Sequence, residues 1–185
     1  FSLIETLTPG PDGVQCDIAT LKEFPGDLSS LTTSRTAFAG IDLSGPALMG
    51  VVNVTPDSFS DGGDFFDPAR AIDHALKLAE DGAAIVDIGG ESTRPGAEQM
   101  TVADEIARVL PVIEAAVAAG VTVSVDTRRA PVMEAAIAAG ARIVNDISAL
   151  TEDPDALDII ARTDASVILM HMQGTPETMQ QAPEY

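Results

Sequence analysis

SVDTRRAPVMEAAIAAGARIVNDISAL, residues 124–150, carries the arrangement that decides the fold. The segment opens inside the apolar run VTVSVDT, passes Pro131 and VMEAAIAAG, and re-enters an apolar run at RIVNDIS. The two flanking runs are short and rich in Val and Ile, which suits buried strands better than helices. Between them, Pro131 fits the first turn of a helix, and Gly140 fits a left-handed C-cap that glycine adopts at least strain. The unit reads strand, helix, strand.

The same rhythm extends in both directions. LMGVVNV (48–54), AAIVDIGG (83–90) and SVILMHM (166–172) are further strand-like runs, making five. Helical patterns separate them, with matching punctuation. Asp67-Pro68 offers an N-cap and a first-turn proline for ARAIDHALKLAEDG. Thr101-Val-Ala-Asp104 is close to a capping box ahead of DEIARVLPVIEAAVAAG, and Asp153-Pro154 opens DALDIIART. Gly82, Gly120 and Gly140 close three of these helices, and Pro111 predicts a kink or a break within the second. Near-continuous apolar strands alternating with helices imply a parallel sheet covered by helices. A doubly wound sheet and a (β/α)8 barrel both satisfy this order. No G-x-G-x-x-G follows the first strand, which weakens the dinucleotide-binding form.

Composition narrows the function classes. The 185 residues are 45% hydrophobic and 4% aromatic with no Trp, so the interior is expected to be aliphatic and alanine-rich. A formal net charge of −19 leaves no basic face to neutralise phosphates, so nucleic acid is not an expected partner. Local amides, one arginine or a metal ion can still hold a small anion within that field. No apolar run approaches the roughly 18–20 residues that span a bilayer, and the N-terminus lacks a signal-peptide pattern. The lone Cys16 reads as an ordinary thiol in a reduced, cytoplasmic setting. The chain does not begin with Met, and the expectation is that it belongs to a longer polypeptide.

Polar groups close nearly every strand. They are Asn53 and Thr55, Asp87 with Glu91, Thr93 and Arg94, Asp126-Thr127, Asn145-Asp146, and His171. In a parallel barrel these ends converge on one mouth, where ligands bind. Asn donates and accepts while Asp accepts, a mixture that matches a flat heterocycle with an amino-amide edge. No G-x-S-x-G elbow is present, and two histidines cannot build a Ser-His-Asp set. His74 falls on a predicted helix as a solvated residue, and His171 ends a strand, where packing or a loop hydrogen bond is as good a reading as ligation. A hard oxygen such as that of Asn53 suits Mg²⁺ held mostly by water and phosphate.

MGVVNVTPDSFSDGG (49–63) with VDIGGESTRPGA (86–97) resembles the signature pair of the bacterial dihydropteroate synthases. SVDTRRAPVMEAAIAAGARIVNDISAL and ILMHMQGTPETMQ (168–180) continue the same pattern in the same order. The resemblance spans residues 44–185, leaving 1–43 as an irregular N-terminal extension with one or two short hairpin strands. It implies a (β/α)8 TIM barrel, of which this chain holds about the first five βα units. It also implies a transferase of folate biosynthesis, joining 6-hydroxymethyl-7,8-dihydropterin diphosphate to p-aminobenzoate with release of diphosphate. Sulfonamides mimic the second substrate.

Carried over by motif, Asp126 and Asn145 would bind the pterin, with Ile147 and Met170 on its faces. Asn53 would bind Mg²⁺ and the diphosphate, Thr93 would contact the pterin diphosphate, and Phe59 would line the p-aminobenzoate pocket. Asp61 and Arg94 would meet when the first two loops close, Gly62 and Gly63 leaving the first of them able to move. Asp126 or Asp61 would stabilise the cation-like methylene left by diphosphate.

The family's later pterin aspartate, S-R-K lysine and R-x-H pair have no counterpart here, and no Lys follows Lys77. A full barrel needs roughly 250 residues, so the expectation is a longer chain, a homodimer when whole, and no activity from these 185 residues alone. Two alternatives share the fold: a methyltetrahydrofolate-dependent pterin-binding methyltransferase acting with a corrinoid protein, and a non-catalytic pterin-fold partner protein. The intact DSFSDGG and GGESTRPGA loops favour the synthase.

Overall fold

The computed structural model describes residues 3–11, 13–24, 26–29, 33, 37–55, 67–91 and 100–171. The chain divides into two compact units, Phe1–Arg35 and Thr36–Tyr185.

The first unit contains β1 (Leu3–Gly10) and β2 (Gly13–Thr20), an antiparallel pair in register from Leu3↔Thr20 to Gly10↔Gly13. These are regular eight-residue strands, longer than the short pieces the sequence suggests. Gly13, at φ +122°, takes the positive dihedral at the turn that few other residues tolerate. Directly opposed residues share a face in such a ladder, so Leu3, Leu7, Val14 and Ile18 lie on one side, and all four are exposed.

The second unit opens on a tight turn at FAGI, where Phe38 and Ile41 exchange both backbone hydrogen bonds (2.9 and 2.8 Å). Its central residues, Ala39 and Gly40, both have positive φ, the geometry of a type I′ turn. A parallel sheet follows, formed by β3 (Met49–Asn53), β4 (Ile85–Gly89), β5 (Val123–Asp126), β6 (Ile143–Asp146) and β7 (Ser166–Leu169). Between successive strands run α1 (Pro68–Glu80), α2 (Val102–Ala118), α3 (Ala130–Ala138) and α4 (Ala156–Ala161). Each strand pairs with the next in sequence, without reversal. A doubly wound sheet reverses its order at a switch point; this one does not, and it is a five-strand portion of a TIM barrel.

The helices start and stop where their sequences direct. Asp67 accepts from the Ala69 amide at 3.0 Å with Pro68 as the first helical residue of α1. Thr101 Oγ1 accepts from the Asp104 amide at 3.2 Å and donates to the Asp104 carboxylate at 2.6 Å, close to the capping box expected. Gly82, Gly120 and Gly140 follow α1, α2 and α3 with φ of 105°, 82° and 103°. Of the kink or break expected at Pro111, the break does not occur: α2 continues from Val102 to Ala118, with Val109, Val112, Ile113 and Ala116 all fully buried against the sheet. The last helix follows Asp153-Pro154 as read, with Asp155 at its N-cap and Ala156 as its first helical residue; the Asp153 carboxylate accepts from the amides of Asp155 (3.0 Å) and of Ala130 in α3 (2.8 Å).

The core lies between the helices and one face of the sheet. Val52, Ile88, Val125 and Val144 project there from four strands and meet Ala71, Ala75, Val109, Ile113, Met133 and Ala136. It is aliphatic and rich in Val and Ala, as the composition predicts. Among the described residues, no helix is long and apolar enough to cross a membrane.

Candidate functional site

Strand alternation sends every second residue away from that core. In β3, Val52 is 0% exposed whereas Val51 is 51% exposed and Asn53 is exposed as well, so the odd-numbered residues look away from the helices. Parallel register then aligns the side chains across strands. Asn53, Gly89, Asp126, Asn145 and Ile168 form one transverse row at the C-terminal ends of the five strands. One step down, Val51, Asp87, Ser124, Ile143 and Ser166 form a second row. Three residues singled out in the sequence, Asn53, Asp126 and Asn145, therefore share one rim and one face.

The rim is polar over a buried polar layer. Gly89 has no side chain, and a Cβ built there would lie 3.4 Å from both Asp126 Cβ and Oδ2, so glycine keeps the position beside the Asp126 carboxyl open. Asn145 Nδ2 donates to Asp87 Oδ2 at 3.0 Å. Asp87 and Ser124, adjacent in the second row, are 3% and 0% exposed. Asp87 Oδ1 and Ser124 Oγ have no hydrogen-bond partner among the described residues. Burial, and then the Asp87 charge, push the Asp126 carboxyl from its ordinary 3.8 up to about 7; Glu105 and Asp146 add to this and Arg128 opposes it. The rim thus has a carboxyl group that exchanges its proton near neutrality.

Beside the rim lies an ion network that the sequence does not signal as one. Glu91, just past β4, accepts from Arg128 Nη2 at 2.8 Å and from Arg129 Nη2 at 2.7 Å. Arg128 Nη1 also donates to Glu152 at 2.5 Å. Arg129 Nη1 donates to the Met100 carbonyl at 2.5 Å and lies 3.4 Å from Glu105 Oε2. Glu105, 1% exposed on α2, accepts from Thr127 Oγ1 at 2.7 Å. Burial raises its proton affinity, while the Thr127 hydrogen bond and the Arg129 charge oppose the rise. The close approach of α2 depends on Gly90, where a Cβ would meet Val109 Cγ1 at 2.8 Å and Glu105 Cγ at 3.0 Å. Arg129 thereby joins Glu91 and Met100, the two residues that flank segment 92–99.

Sequence reasoning noted Asp87 and Glu91 only as strand-end polar groups and missed Glu105, Arg128 and Arg129. Glu105 looks like a first-turn helical acid, and only its burial against Thr127 reveals otherwise. Ile147 and Met170, directly beyond β6 and β7, are half-buried, and the Met170 amide donates to the Asp146 carbonyl at 3.2 Å. Asp146 itself turns away from the row and caps the amides of Ser148 (2.7 Å) and Leu150 (2.9 Å). His74 is exposed on α1, as read from its helical position. Phe59, Asp61, Thr93 and Arg94 lie outside the described residues.

Known proteins are similar to this chain in sequence and fold. The dihydropteroate synthase of Escherichia coli K12 is 51% identical over 146 residues, which are 78% of this chain and 51% of that protein. The Yersinia pestis dihydropteroate synthase, solved as a sulfonamide drug complex, superimposes with a TM-score of 0.70 at 50% identity, covering 78% of this chain and 53% of that one. The Xanthomonas albilineans dihydropteroate synthase with 4-aminobenzoic acid gives a TM-score of 0.69 at 51% identity, covering 76% and 53%. The chain spans about half the length of the relatives it matches. The family model for pterin binding enzymes matches residues 49–185. From the first strand of the sheet to Tyr185, the chain belongs to the pterin binding enzyme family.

Proposed function

We propose that this chain supplies the pterin- and diphosphate-binding part of a dihydropteroate synthase, a transferase that joins a hydroxymethyl-dihydropterin diphosphate to p-aminobenzoate. The observation that carries the reading is the common row of Asn53, Asp126 and Asn145 at one strand-end rim. Its support is the likeness to synthases of about 50% identity, one of them solved with 4-aminobenzoic acid and one with a sulfonamide drug.

In this reading Asp126 and Asn145 take the hydrogen-bonding edge of the pterin, and Ile147 and Met170 flank its faces. Thr93 holds the pterin diphosphate and Phe59 lines the p-aminobenzoate site. Asp61 and Arg94 organise the first two loops around the reacting atoms. Expelling water there protects a cation-like methylene from hydrolysis.

Mg²⁺ belongs to the same proposal. Among the described residues no group of three or more His, Cys, Asp or Glu could hold a metal ion. Asn53 offers a single neutral oxygen donor at the exposed rim, which suits a largely hydrated ion arriving with diphosphate rather than a protein cage. When bound, the ion would supply charge stabilisation to the departing diphosphate. Asn53 would orient the diphosphate at the rim. A reduced cytosolic compartment fits the exposed free thiol of Cys16.

The deciding experiment is calorimetric titration of the complete polypeptide carrying this sequence with the pterin diphosphate, with and without Mg²⁺, followed by a diphosphate-release assay. Release that requires p-aminobenzoate is expected. Pterin binding without any p-aminobenzoate-dependent release would remove the synthase reading in favour of a methyltransferase or a binding protein.

A further inference from the structure

Resting on the pterin reading above, we propose that Asp87 is the positioning residue of the recognition pair. From the second row it holds the Asn145 amide in one orientation, so that Asn145 turns its carbonyl oxygen, beside Asp126, toward the N–H edge of a ligand.

Asp87 occupies the centre of an otherwise apolar strand, IVDIG, and is 3% exposed. Burying a carboxylate there is costly unless something engages it. Asp87 Oδ2 accepts from Asn145 Nδ2 at 3.0 Å across 58 residues of sequence. Strand β5 runs between the two, and it places only the small Ser124 in the row of Asp87, which leaves space for the contact. A primary amide has a donor end and an acceptor end. One Nδ2 hydrogen donated to Asp87, which as a carboxylate can only accept, fixes which end is which, and Oδ1 is the atom that accepts from a ligand donor. An unsupported Asn145 could present either end and would discriminate poorly between ligand donors and acceptors.

The second oxygen adds an independent sign. Asp87 Oδ1 is buried without a partner among the described residues, and so is Ser124 Oγ beside it in the same row. A buried acceptor and a buried hydroxyl left together in this way suit a further donor between the rows, either a ligand N–H or a bridging water. Asp87 also acts on Asp126 through its charge. The charged groups around Asp126 are Asp87 on β4, Glu105 on α2, Asp146 at the end of β6 and Arg128 beyond β5; burial and the three acids raise its proton affinity while the arginine lowers it. Asp87 is the largest charge contribution among them. One side chain thus holds the orientation of Asn145 and, after burial, contributes most to raising the pH at which Asp126 exchanges its proton.

The test is a double-mutant cycle on the complete polypeptide, reading pterin diphosphate affinity by calorimetry on both sides of pH about 7. Asp87→Asn is expected to weaken binding about tenfold in the wild-type background. Read well above the pH limb, where Asp126 is ionised in either protein, the same change in an Asn145→Ala background is expected to cost less than about twofold, because its route through Asn145 is gone. The pH limb of the affinity is expected to move to lower pH in Asp87→Asn, a displacement that a purely structural role would not produce. Should Asp87→Asn fail to fold, Asp87→Ser, which is too short to reach Asn145, carries the same expectations. Wild-type affinity with an unmoved limb, or losses that simply add in the cycle, would overturn the assignment of Asp87 alone. A wild-type protein that does not bind the pterin diphosphate would instead remove the parent reading, and this one with it.

Discussion

Replacing Asp126 by Asn should stabilise the unliganded protein above neutral pH while it removes pterin binding. The substitution keeps the shape and removes the charge of a side chain that sits among Asp87, Glu105 and Asp146. In the folded protein the carboxyl exchanges its proton at about 7, against an ordinary value of 3.8. Below pH about 4 the group is protonated in both the folded and the unfolded chain, so the wild type and the variant should not differ through this group. Between about 4 and 7 the unfolded chain releases the proton while the folded chain retains it, and the wild type loses stability as pH rises. Above about 7 both forms are ionised and the full penalty applies. At about 1.4 kcal/mol per pH unit the ceiling is about 4 kcal/mol. Solvent reaches a half-buried side chain, so about 1–3 kcal/mol is expected at pH 8 or above. Urea unfolding of both proteins across this pH range measures the difference directly, with the slope checking that two-state behaviour holds. A difference that does not change with pH would refute the argument, even if Asp126→Asn abolished binding, because the rim would then not be the strained charge cluster described above.

Three other outcomes follow from the same geometry. Arg129→Ala leaves Glu91 and the buried Glu105 without their shared cation and should cost about 2–4 kcal/mol in chemical denaturation; a loss below about 1 kcal/mol would mean the network is solvated. Gly90→Ala drives a methyl group into Val109 and Glu105 and should cost about 1–3 kcal/mol, visible as a lowered Tm; an unchanged Tm would show that α2 shifts without penalty. Asp61→Ala should lower turnover more than pterin affinity, and full turnover with an intact fold would remove Asp61 from the proposed machinery.

Much of the fold is legible in short windows of sequence. Asp67-Pro68, Thr101 to Asp104 and the glycines at 82, 120 and 140 mark the helix boundaries because capping is decided within four residues of chain. The apolar strands are equally local, since short runs rich in Val and Ile mark a strand within a few residues. Whether Pro111 would break its helix was not legible for the opposite reason: its penalty is local, but the packing of Val109, Val112 and Ile113 that keeps α2 continuous is not. The N-terminal hairpin is underestimated because its alternation is weak and its Thr, Gly and Pro residues resemble loop composition.

The site divides along the same line. The sequence by itself determined which residue types stand at the strand ends, and that a parallel sheet would bring strand ends to one side. Only the tertiary structure decided that β3 to β7 run in unbroken order, which separates a barrel from a doubly wound sheet. It alone set Asn53, Gly89, Asp126 and Asn145 in one row, joined Asp87 to Asn145, and turned Glu105 inward to Thr127 and Arg129. The physical reason is range. Caps, turns and periodicity act over a few residues, whereas register between strands and the pairing of buried charges depend on side chains 20 to 60 positions apart meeting in a space from which water is excluded.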